Sequence, residues 1–256
     1  WVSLAVSPLI IHDSNRTIAT VRDLYRRVLR PNILITIPGT RENLSVIEEA
    51  IFIGVPVNAT LLFSRQHYLA AAEAFIRGIE RRIAAGLGAK VGSVASLFIG
   101  PWDASVEDMV PDTLYNQLGT AIAGQIYNTY TQLQRSQRWQ RARNAGAHFQ
   151  RLLWAGTSTQ DQKTADPFYY IRSLAVPGTI NTITENRLEG LTNNGGIGAL
   201  IPFGRNDYQE VFSRFAEAGV DIDSLAIQLQ NEAVASLIKV WIELLMAIAA
   251  KSAALV

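Results

Sequence analysis

RPNILITIPGT, residues 30–40, decides the architecture. Pro31 and Asn32 stop a helix, and Ile33 to Ile37 then run apolar without alternation. A strand that shows water neither face lies in a sheet covered on both sides, which is the habit of parallel sheets. Outward from it the same alternation repeats. Upstream, Val2 to Val6 reads as a strand, and His12-Asp13-Ser14 offers an N-cap to a helix carrying Ile18, Val21, Leu24 and Val28. Downstream, Leu44, Ile47 and Ile51 mark a helix that Gly54 ends, and Val55 to Leu62 forms the next strand. Leu69, Ala72, Ile76, Ile79 and Ile83 follow at helical spacing, then the strand Val94 to Ile99. A long helix carries Leu118, Ile122, Ile126, Tyr130 and Leu133. Gln150–Ala155 and Thr179–Thr182 are the last strands, and helices near 208–218 and 231–250 close the chain. Strands alternating with helices predict βαβ units and a parallel sheet. SPLIIHDS, residues 7–14, is no glycine-rich phosphate loop, so the pattern favours an α/β barrel of TIM type over a doubly wound sheet.

With 256 residues, 48% of them hydrophobic, the chain can build one large core and is expected to be a single barrel domain over 1–256. Its 18% of charged residues lies below the ~25% usual for soluble domains, which points to surface covered by a partner. A net charge of +1 excludes a bulk attraction to nucleic acid or anionic lipid. The absence of cysteine removes disulfides, thiolate nucleophiles and cysteine metal sites. No secretory signal is visible, and no apolar run approaches the ~18 residues that span a bilayer. The cytoplasm or an organelle interior is therefore the expected compartment. Six strands do not close an eight-stranded barrel, so about two βα units are expected to be missing ahead of Trp1.

VSLAVSP (2–8), RPNILITIPGT (30–40), VNATLLFS (57–64), SVASLFIG (93–100), FQRLLWAGTST (149–159) and GTINTITENRLEGL (178–191) together resemble the bacterial branch of the transaldolase family, in the family's order. The resemblance implies a (β/α)8 barrel with its site at the carboxyl ends of the strands. It also implies a role in the carbohydrate metabolism of the pentose phosphate pathway. Such enzymes move a three-carbon dihydroxyacetone unit between sugar phosphates through a lysine Schiff base, with no cofactor.

Chemistry of that kind needs a partly neutral primary amine. By the resemblance, Thr36 stands at the lysine position and Ala5 at that of the acid/base glutamate. Pro101 stands where an arginine grips the substrate phosphate, and Gly156 and Gln160 replace a serine and a lysine after the seventh strand. The chain's lysines are Lys90, Lys163, Lys239 and Lys251, none on a predicted strand. Asn58, Thr60, Ser96, Phe98, Ser158 and Gln160 remain as ligand-binding candidates. Asn58 and Thr60 face the same way on their strand, as do Ser96 and Phe98.

Elsewhere the residues read as structure. His12, His67 and His148 are scattered, without metal-ligand spacing, and no metal is expected. Asp13 reads as a cap, and Asp103 as a solvated loop carboxylate with a lesser reading as an acid. The basic segment Arg135–Arg143 reads as a solvated helix end; a nucleic-acid patch is the lesser reading. The last helix is apolar around most of its circumference, and Ile242, Met246 and Ile248 are candidates to dock a protein partner or second copy. From these departures the expectation is a catalytically inactive, transaldolase-like subunit of a larger assembly, with weak affinity for sugar phosphates. The alternative is an enzyme or binding protein for such ligands that works without a Schiff base.

Overall fold

Six parallel strands hydrogen-bond in the sequential order β1 to β6: Val2–Ala5, Ile33–Pro38, Val57–Leu62, Ser93–Phe98, Arg151–Ala155 and Thr179–Asn181. The computed structural model describes residues 1–157, 168–193 and 208–253. Helices fill the intervals: α1 Ser14–Val28, α2 Leu44–Phe52, α3 Arg65–Ala84, α4 Gly100–Val106, α5 Leu118–Arg135 and α6 Gln137–Asn144 precede β5. α7 Tyr169–Ser173 precedes β6, and α8 Glu185–Asn193, α9 Tyr208–Glu217 and α10 Ile222–Ala253 follow. This is the α/β fold of TIM-barrel type that ILITI demanded. Among the described residues β1 pairs only with β2 and β6 only with β5.

Ile33, Ile35 and Ile37 of β2 are buried under the helical layer with Val57 and Ala59 of β3 and Ala95 and Leu97 of β4. The opposite side of each strand faces the barrel interior. The helices pack closely where glycine permits it: a Cβ at Gly78 of α3 would lie 2.7 Å from both Glu48 O and Ile51 Cβ of α2. Capping follows the sequence. Asp13 accepts from the Arg16 N–H at 2.9 Å, and Ser64 and Ser136 accept from the N–H groups of His67 and Trp139.

α10 begins on the body of the molecule and leaves it. Ala226 and Leu229 are buried, whereas Val240, Ile242, Leu244, Leu245, Met246 and Ile248 are all exposed. By length and composition this helix is long and apolar enough to cross a membrane. That corrects the expectation that no apolar run approaches a bilayer span: residues 233–250 carry only Lys239 and Glu243 as charges, too few to lower their hydropathy enough to disqualify them. Ile242, Met246 and Ile248 are 43%, 67% and 55% exposed, so none is core. Replacing all three by glutamate is expected to leave the melting temperature within about 2 °C, because surface substitutions away from special features cost little. Thermal melts check this; a collapsed melt would mean that the helix packs inside its own chain.

Candidate active site

At neighbouring positions on four adjacent strands, polar side chains meet in one hydrogen-bonded row. The β1–β2 register sets Ser3 beside Leu34 and Ala5 beside Thr36, and the β2–β3 register sets Thr36 beside Asn58. Ser3 Oγ and Thr36 Oγ1 share a hydrogen bond of 2.5 Å. Asn58 Nδ2 donates to Ser3 Oγ at 3.2 Å, and Ser96 Oγ donates to Asn58 Oδ1 at 2.7 Å. Asn58 is the hinge of the row, with amide N–H and carbonyl both engaged. Period-two alternation puts these residues on the inner side while their apolar neighbours face the helices. The sequence pointed to Asn58 and Ser96; it missed Ser3, which shares a strand face with Ala5 in VSLAV. Thr36 holds a hydroxyl in this row, and a hydroxyl forms no imine with a ketone. Ala5, exposed beside Thr36, supplies no proton-transfer group.

Toward the carboxyl ends the backbone departs from regular pleat. The β3–β4 register shifts between Ala59 and Leu62, and Leu61 is forced to φ 58°. A buried leucine in the left-handed region is strained, and such strain gathers at ligand sites. Two contacts sustain it. Gln230 Nε2 of α10 donates to Leu61 O at 2.8 Å, and Gly39 N donates to Thr60 O at 2.7 Å. A Cβ at Gly39 would fall 2.3 Å from Leu62 Cδ2 and 3.3 Å from Thr60 O, so a larger residue there would have to displace the Leu62 side chain beside the bulge. Thr60 is half-buried beside it.

Phe98, Pro101 and Gly156 come together. Phe98 stacks on Phe63 with ring centroids 5.5 Å apart. A Cβ at Gly156, where φ is 64°, would lie 3.3 Å from Pro101 Cδ and 3.4 Å from Phe98 Cδ1. Pro101 lies in the first turn of α4, which carries no cation there. Ser158, Gln160 and Lys163 lie outside the described residues.

Asp103 corrects its sequence reading. It is buried, not solvated: Oδ1 accepts from Leu118 N at 2.9 Å and Oδ2 from Gly119 N at 3.0 Å, and Tyr170 also donates its hydroxyl proton to Oδ2. The carboxylate thus caps the start of α5, answering the orphan N–H groups and positive dipole of a helix beginning. The cost of burial pushes its pKa up to about 6, although its hydrogen bonds pull the other way. No signal in the sequence separates this aspartate from a surface one, because its partners lie 15 to 67 positions away.

His67 Nδ1 accepts from Phe63 N at 3.3 Å, and burial holds its pKa below the usual value. The basic segment is less solvated than expected. Arg138 forks to Glu73 at 2.6 Å and Glu80 at 2.7 Å, and Trp139 is core.

Residues 1–248 match the family described as Transaldolase/Fructose-6-phosphate aldolase. Transaldolase 1 of Streptomyces avermitilis is 35% identical over 97% of this chain and 68% of its own length. The transaldolase of Frankia alni is 36% identical over 97% of this chain and 69% of its own, and that of Acidothermus cellulolyticus 36% over 96% and 68%. These matches overturn the expectation of an inactive assembly subunit, and with it the alternative of a chemistry without a Schiff base. That expectation gave single substitutions such as Thr36 more weight than the continuous likeness to relatives named transaldolase.

Proposed function

The chain belongs to the transaldolase/fructose-6-phosphate aldolase family, and from that premise we propose that it is a transaldolase-type transferase acting on sugar phosphates. The row Ser3–Thr36–Asn58–Ser96 is the observation that carries this reading. It supplies donors and acceptors at fixed spacing on rigid strands, which suits the successive hydroxyls of a ketose, and rigid placement of a reactant lowers the entropic part of the barrier. Asn58, with both amide atoms already oriented, fits a substrate hydroxyl next to the reacting carbonyl.

Among the lysines of residues 1–256, one stands out as the amine of this reading. Lys90 precedes β4 at its amino end, and Lys239 and Lys251 are exposed on α10. Lys163 alone lies in the segment that leaves the carboxyl end of a strand, between β5 and α7. In this reading its neutral amine attacks the ketose carbonyl and water departs as the imine forms. Carbon–carbon cleavage then releases an aldose and leaves the three-carbon unit on the enzyme.

Incubation with fructose 6-phosphate and borohydride is expected to add a reduced three-carbon unit, located by peptide mapping at Lys163. Lys163→Met should abolish it. An unmodified chain that also fails to pass a three-carbon unit from fructose 6-phosphate to erythrose 4-phosphate would overturn the proposal.

A further inference from the structure

The carboxyl-terminal helix α10 reaches the neighbourhood of the proposed site before it leaves the molecule. At its start Asp223 Oδ1 accepts from Gln66 Nε2 of α3 at 3.2 Å. Ala226 and Leu229 are buried, and the half-buried Gln230 that follows donates from Nε2 to Leu61 O at 2.8 Å. The helix also touches the turn Pro8–Ile10 that follows β1. Its inner turns therefore lie against the carboxyl ends of β1 and β3.

What Gln230 holds is a bulge in a strand paired on both sides, with β2 and with β4. In the β3–β4 ladder Ala59 pairs with Ala95 and Leu62 with Leu97, so Thr60 and Leu61 together stand opposite Ser96 alone. An extra residue of this kind bends its strand and re-aims the neighbouring side chains. Where a bulge needs the left-handed region, glycine is the usual occupant. Here it is Leu61, at φ 58° and buried. A leucine stays there only where its surroundings over-determine it. Two donors do so: Gly39 N–H to Thr60 O at 2.7 Å, and the Gln230 amide to Leu61 O. Ser96, opposite the bulge, donates to Asn58 Oδ1 at 2.7 Å, and Thr60 lies two positions beyond Asn58 on the same strand. The polar row and the bulge are one piece of structure.

We propose that Gln230 is a positioning residue for three-carbon transfer, acting through Leu61 to fix the bulge and, with it, Thr60 and the Asn58–Ser96 pair. The proposal rests on the transferase reading of that row. Without the amide, Leu61 can relax toward an extended conformation and pass the extra residue along the strand. That relaxation turns Thr60 and disturbs the Ser96–Asn58 bond. A misplacement of about 1 Å at a reacting centre costs up to ~100-fold in rate.

Steady-state transfer from fructose 6-phosphate to erythrose 4-phosphate tests it. Gln230→Met keeps the length of the side chain and removes the donor. Gln230→Glu keeps its shape and, at about pH 8, presents a carboxylate to the carbonyl. Asp223→Ala loosens the other anchor of α10 and leaves Leu61 O its donor. Both Gln230 variants are expected to lose about ten-fold in kcat with KM within about two-fold, because the fault lies in placing the bound substrate and not in capturing it. Their melting temperatures should fall by no more than about 4 °C, the scale of one hydrogen bond. Asp223→Ala should transfer at the parental rate. Parental kcat in both Gln230 variants would overturn the proposal. So would an equal loss in Asp223→Ala, or a loss of kcat that tracks a collapsed melt in both Gln230 variants. A parent chain that transfers nothing would overturn the transferase reading itself and this inference with it, so an active parent tells the two failures apart.

Discussion

Asp103→Ala is expected to lower the melting temperature by about 10 °C, corresponding to about 3–5 kcal/mol for a domain of this size. Removing the carboxylate leaves the N–H groups of Leu118 and Gly119 and the hydroxyl of Tyr170 without their acceptor, all in buried surroundings. It also frees α7 from α4. pH separates this role from simple packing. Folding raises the Asp103 pKa from an ordinary 3.8 to about 6, mainly through burial. A raised acid favours the folded state while it is protonated. Its contribution is therefore full below about pH 4 and is lost as pH rises through 6, in total about 3 kcal/mol. Asp103→Asn cannot titrate. The stability advantage of the wild type over Asp103→Asn should accordingly be larger at pH 4 than at pH 7, as read from denaturant melts at both values. A difference independent of pH would show that the carboxyl titrates as an exposed one does.

Asn58→Leu is expected to reduce three-carbon transfer by about 100-fold or more, near 2.7 kcal/mol of transition-state stabilisation. Leucine is close in volume but offers neither the donor that holds Ser3 nor the acceptor that holds Ser96. The Ser96 hydroxyl would then lose its acceptor, Ser3 would keep only Thr36, and a substrate hydroxyl would lose its oriented amide. Stability should change little, because Asn58 is only half-buried and its row faces the interior cavity. The paired measurement is kcat/KM against the melting temperature. A large loss of stability with retained turnover would leave the row as a structural hydrogen-bond network.

The bulge at Leu61 shows where local reading fails. VNATLLFS carries no glycine or proline to announce a left-handed residue, and leucine resists that conformation. The strain is sustained from outside the strand: Gln230 lies 169 positions away in sequence, and Gly39 brings its N–H to Thr60 O with no side chain to press on Leu62. α10 repeats the lesson in reverse. Its apolar residues were visible as a pattern, but a pattern does not say which of them the body of the molecule covers. Ala226 and Leu229 are buried and Ile242, Met246 and Ile248 are not.

The sequence by itself determined the six strands, the parallel sheet and the family, because those rest on periodicity, caps and collinear motifs, all of which are short-range. It also identified Asn58 and Ser96, since two residues apart on a strand means one shared face. Tertiary structure alone decided that Ser3 completes their row and that Asp103 is a buried cap. Each of those facts depends on register and packing between segments distant in the chain. A carboxylate or guanidinium acquires its role from the partners brought to it and from the water removed around it, and neither is encoded in its neighbours along the sequence.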